Sequence, residues 1–162
     1  MRASRTVHPL LLEPTYWRNR LQEMNAVRKA LSVVPRPDLS GNGKEVVEFR
    51  LRAHDGTTLW GLLAKSQFHK GARPAEIRVI GPSERPEVDK TVLEDGIAQL
   101  IFQEPAGRRL PDRVLDVLRI AQMALATDGI DHDRISFCHP KDNQMVNEVI
   151  IAEQLLAGDL CK

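Results

Sequence analysis

Aromatic residues, cysteine and any excess of one charge are all scarce in this sequence. Cysteine occurs only at Cys138 and Cys161, in no CxxC spacing, so a disulfide framework is excluded. Lys and Arg number 23 against 22 Asp and Glu, a formal net charge of +1, whereas a broad nucleic-acid footprint needs a large basic excess. No apolar run reaches the ~18 residues of a membrane-spanning helix. The Val7–Leu12 patch is too brief for a signal-peptide core, and Glu13-Pro14 follows it in place of a small-residue cleavage site. The expectations are a cytoplasmic protein with no nucleic-acid partner, no membrane contact, no metal and no cofactor. What is present is a 42% hydrophobic fraction over 162 residues, enough to bury one sizeable core with a flanking arm.

Trp17, Leu21, Met24 and Leu31 recur at helical spacing, predicting a helix over Pro14–Leu31. The run from Pro35-Arg36-Pro37 to Gly41-Asn42-Gly43 breaks it and reads as a linker. Residues 1–43 are therefore expected to form a helical arm and linker, and residues 44–162 the main domain. In Glu45–Ala53, Val47, Phe49, Leu51 and Ala53 alternate with Glu48, Arg50 and Arg52, a half-buried strand pattern. His54-Asp55-Gly56-Thr57 supplies a turn, and Thr58–Lys65 an antiparallel partner. Strands are then predicted at Glu76–Ile80, Ile97–Phe102 and Arg134–Cys138. They alternate with helices at Asp112–Ala126, with Val114, Leu118, Ala121 and Leu125 on one stripe, and at Asn143–Ala157, with Gly158 as its stop. Strands alternating with helices predict a mostly parallel sheet in a three-layer αβα sandwich.

Several segments together resemble the acetyl xylan esterase and cephalosporin-C deacetylase family of α/β-hydrolases. Tyr16-Trp17 opens a helix, a Pro-rich bridge follows, and Val47-x-Phe-x-Leu-x-Ala-x-Asp55-Gly56-Thr57-x-Leu59-x-Gly61-x-Leu63 is similar to that family's entry. Gly96-Ile97-Ala98 leading to Gly107 resembles its glycine-led strand and following loop. Asp116-Val117-Leu118-Arg119-Ile120-Ala121, then Gly129-Ile130-Asp131-x-Asp133-Arg134-Ile135, resembles the helix and strand that deliver the nucleophile. The resemblance spans about Tyr16 to Leu156 and implies half of an α/β-hydrolase sheet, an antiparallel hairpin followed by parallel strands.

The same resemblance exposes departures from it. The family's strand ends in a G-x-S-x-G elbow, whereas this chain continues Cys138-His139-Pro140-Lys141-Asp142-Asn143. His139 falls on the first glycine, Lys141 on the serine and Asn143 on the second glycine. An ammonium at Lys141 is not a hydroxyl nucleophile, and the flanking side chains disfavour the crowded turn that glycine permits. The glycine closing the third strand matches Gly81, but the next residue, a backbone donor to the oxyanion in the family, is Pro82, which has no N–H. The acid and base that follow the serine in hydrolases have no counterpart before Lys162. The expectation is a truncated, degenerate relative without catalytic residues. Gly81, Pro82, Gly107, His139, Lys141 and Asp142 are the candidates for the remnant pocket.

Other constellations have plainer accounts. Cys138-His139 resembles a thiol–imidazole pair, yet adjacent strand residues point to opposite faces unless Pro140 turns the chain. Asp131-His132-Asp133 with His139 matches no strong zinc spacing and reads as an exposed turn into a strand. Asp142 or Asn143 fits a helix cap, leaving open an anion bound beside Lys141. Arg108-Arg109 reads as a solvated loop or an acidic-partner contact, and Trp17 and Trp60 as packing residues. A strand at Arg134–Cys138 without its usual neighbours is an edge, and the Asn143–Ala157 helix is apolar on more than one stripe. Both features point to a homodimer or protein partner through that edge or helix, with the N-terminal arm folding over it as the alternative. The function expected is a non-catalytic, esterase-like protein with an interaction or structural role. The alternatives are a hydrolase with a dimer-completed or non-standard site drawing on His54, His139 or Cys138, and a small-molecule binding module at the strand C-termini.

Overall fold

The computed structural model describes residues 14–138 and 146–157. Six strands form one sheet in the order β1-β2-β3-β5-β4-β6: β1 Ser32–Pro35, β2 Lys44–Arg52, β3 Thr58–Ser66, β4 Arg73–Ile80, β5 Ala98–Gln103 and β6 Ile130–Phe137. The helices are α1 Pro14–Ala26, α2 Lys90–Glu94, α3 Leu110–Leu125 and α4 Val146–Ala157. β1, β2, β3 and β5 pair antiparallel, whereas β4 pairs parallel with both β5 and β6. The sheet is therefore mixed, not mostly parallel: the hairpin half is built from local turns, and only the strands reached through helical connections run the same way.

The hairpin forms as the alternation predicts. Phe49 and Leu51 face the main core beside Leu59 and Leu63, while Val46, Leu62 and Ala64 form a smaller cluster with Leu93 on the opposite face. Gly61 lies opposite Phe49 in register, and a Cβ there would run into the Phe49 ring and the Ile101 carbonyl, so only glycine lets β5 approach this closely. α1, α3 and α4 all contribute to the main cluster, and the short α2 covers the second face. α3 lies between sheet and helices, which is why Val114, Leu115, Val117, Leu118, Ile120, Ala121 and Ala124 are all buried.

The predicted helix over Pro14–Leu31 stops at Ala26. Trp17, Leu21 and Met24 are buried as its stripe requires, but Leu31 is 50% exposed. The reason is Arg119 of α3, itself 1% exposed. Its guanidinium donates to the carbonyls of Met24 and Val27 at the end of α1 and to that of Arg52 at the end of β2. It satisfies orphan carbonyls of the helix C-terminus and fastens α1 to the sheet. Beyond this point the chain turns into β1, a strand paired to β2 that fills the gap between the predicted helix and the predicted linker and shares only Pro35 with the latter.

β6 also begins earlier than predicted, and Asp131-His132-Asp133 lies inside it instead of in a preceding turn. Arg73 pairs with Ile130 and Ala75 with Ile135, so two steps along β4 oppose five along β6. The surplus is a bulge fixed by Asp131, which accepts from the Asp133 N–H at 3.0 Å and from the Arg134 guanidinium at 2.7 Å. Among the described residues β6 pairs only with β4, and this charged bulge interrupts its outer edge. No helix among the described residues is long and apolar enough to cross a membrane.

Candidate functional site

The C-terminal ends of β4 and β5 and the hairpin turn lie at one end of the sheet, because β3 runs antiparallel to β5 with Trp60 opposite Gln103. This is the end at which open α/β sheets place their ligands. The turn, Ala53 to Thr57, is closed by the Ala53 N–H donating to Thr57 and by Gly56 at φ +86°, a left-handed conformation that glycine adopts without strain.

Three charged groups, from the turn, the loop before α3 and α3 itself, converge here. Arg108, the residue after Gly107, sends Nε and Nη2 to the two carboxylate oxygens of Asp116 at 3.0 and 2.8 Å. Its Nη1 contacts the Asp55 carboxylate and the Thr57 hydroxyl. The side chains of Arg108 and Asp116 are 8% and 0% exposed, so Arg108 is a buried clamp and not the solvated loop residue expected. Burial raises the Asp116 carboxyl above its ordinary value, with the guanidinium opposing. At Asp55 burial is overcome by hydrogen bonds from Arg108 and Thr57, which hold the carboxyl well below the usual range. His54 adds a second tie, its Nε2 lying 3.0 Å from Asp112 in the first turn of α3.

Glu104, immediately after β5, is 3% exposed, and Glu148 of α4 is 1% exposed. Burial first, and then a hydrogen bond with Glu148, push the Glu104 carboxyl up to about 9. Neither glutamate stood out in the sequence. Their positions on separate elements give no local signal, and a carboxylate is a surface residue by default.

The turn after β4 is self-contained. The Gly81 N–H donates to Glu84 Oε1 at 3.3 Å, the Glu84 N–H to the Gly81 carbonyl at 3.2 Å, and Gln103 Nε2 to the carbonyls of Pro82 and Glu84 at 3.2 and 2.7 Å. Gly81 and Pro82 thus sit at the strand end the sequence assigned to them, with β5 reaching across through Gln103. Gly107 takes φ +75° in the loop leading to α3. Cys138 follows β6, its N–H donating to the Ile77 carbonyl at 2.8 Å. Burial, then the charge of Glu76, push its thiol up, which disfavours the reactive thiolate. His139, Pro140, Lys141, Asp142 and Asn143 lie outside the described residues. Trp17 is buried in the core, and Trp60 donates its indole N–H to Glu48. Among the described residues no three His, Cys, Asp or Glu side chains are grouped to hold a metal ion.

No protein-family model matches the sequence, and no curated protein matches it. Solved structures do match. One is an acetyl xylan esterase from Paenibacillus sp. R4, with a TM-score of 0.67 and 15% identity over 85% of this chain and 53% of that one. Another is acetyl xylan esterase 1 from Thermoanaerobacterium sp. JW/SL YS485, with a TM-score of 0.71 and 16% identity over 89% of this chain and 55% of that one. The chain spans about half the length of these esterases, and across that half it has their α/β-hydrolase fold.

Proposed function

We propose that this chain is a non-catalytic protein built on the acetyl xylan esterase fold, with an interaction or structural role. The observation that carries this reading is the turn after β4. In α/β-hydrolases that loop supplies one backbone N–H to the oxyanion hole. Here the residue in question is Pro82, which has none to give, and the neighbouring Gly81 N–H is taken by Glu84. Gln103 pins the carbonyls of the same turn, so a donor would be regained only by breaking those bonds. Loss of a single oxyanion donor lowers rates by ~100- to 1000-fold. The sequence that follows β6, His139-Pro140-Lys141-Asp142-Asn143, adds support, since it has no serine where the family resemblance requires the nucleophile. Arg108, Asp55, Asp116 and His54 are engaged with one another or with α3, which suits rigidity better than proton transfer.

The purified chain is expected to hydrolyse p-nitrophenyl acetate and acetylated xylo-oligosaccharides no faster than a serine-to-alanine variant of an active acetyl xylan esterase. The opposing reading, an enzyme with a non-standard base, rests on the His54–Asp112 pair at the same end of the sheet. It gains only if saturable turnover is measured and is lost on His54→Ala.

A further inference from the structure

Glu104 at the end of β5 and Glu148 in the first turn of α4, on elements that share no local chain connection, are joined by a side-chain hydrogen bond. Both side chains are almost wholly removed from water, and each keeps an Oε1 with no hydrogen-bond partner among the described residues. A carboxylate in such surroundings loses its hydration and gains little in return. A hydrogen bond between two carboxyls needs a proton on one of them, and burial and the neighbouring Glu148 push that proton onto Glu104. α3, packed against both, presents Arg113 and Asp116 to Glu104. Asp116, though held by the two-pronged bond from Arg108, adds to the upward push on Glu104, and Arg113 opposes it only at a distance, its Nε being unpartnered among the described residues. No ion pair holds either glutamate among the described residues.

We propose that Glu104 and Glu148 form a proton-dependent latch: α4 stays docked on α3 and β5 while the pair holds its proton, and is released when the proton is lost. The sign follows from linkage. A carboxyl whose value is raised in the docked state binds a proton there that it would give up when the helix swings away. Docking is then fully favoured below the ordinary glutamate value of ~4.3. It weakens continuously up to the docked value of about 9, a window that includes neutral pH.

Hydrogen–deuterium exchange on the full chain from pH 5.5 to 8 tests it, with rates corrected for intrinsic exchange and β3 and β5 peptides as internal controls. Protection of peptides covering 146–157 is expected to fall about tenfold per pH unit for one linked proton, with the control peptides unchanged. Glu104→Gln and Glu148→Gln, which keep the shape and remove the charge, are each expected to flatten that dependence. Wild-type α4 protection independent of pH, a slope shared equally by the controls, or a slope surviving both substitutions would each overturn the latch. If neither variant folds, the wild-type slope of α4 against the controls decides on its own.

Discussion

Two buried charge clusters lie at the same end of this molecule, against the same helix, and they are built on opposite principles. Around Arg108, a cation is met by two carboxylates, and the Asp116 pair is bidentate. Around Glu104, acid meets acid, and the compensation is a proton. In the first cluster both carboxylates have a hydrogen-bonded cation once the chain has folded. The second is complete only when solution supplies that proton. One fold thus contains a tie that neutral pH leaves intact and another that neutral pH loosens.

The largest expected effect comes from breaking the first cluster. Arg108→Ala strands Asp116 as a buried, unpaired acid and is expected to cost about 3–5 kcal/mol in urea unfolding at pH 7. The second cluster responds in the opposite sense. Glu104→Gln removes a group that must either stay protonated or ionise in a dry site, so it is expected to stabilise the fold increasingly as pH rises, by about 1.4 kcal/mol per unit between pH 5.5 and 8. A destabilisation by Glu104→Gln at pH 8 as large as that of Arg108→Ala would erase the distinction. The smallest change sharpens it: His54→Ala removes one partly exposed hydrogen bond to Asp112 and is expected to cost about 1 kcal/mol at pH 7.

The elements that were legible in the sequence are those whose pattern is longer than their interruptions. The β2–β3 hairpin sets an alternating run, Val47, Phe49, Leu51 and Ala53, against an apolar run over Leu59–Ala64 on the other side of Asp55-Gly56, and α3 repeats its apolar stripe for four turns. β1 was not legible, because four residues ending in Pro35 give too little period to separate from a linker. The beginning of β6 was hidden by its own bulge, since Asp131-His132-Asp133 has the composition of a turn and owes its place in the strand to pairing with β4. At the candidate site the chain-local features, Gly81-Pro82 and Gly107, were found. The charge clusters were not, because Asp55, Arg108 and Asp116 meet only through the fold, as do Glu104 and Glu148. Arg119 illustrates the same limit: on a helical wheel it marks a solvent face, and only the arrival of the α1 terminus and Arg52 makes burial favourable.

The bulge in β6 shortens the ladder that this strand shares with β4. Its last residues, Ile135 to Phe137, are the only stretch beyond the surplus loop that keeps step with β4. The margin of the sheet thus keeps step with β4 over three residues only, with the Asp131–Arg134 ion pair before them and the strand's end after them.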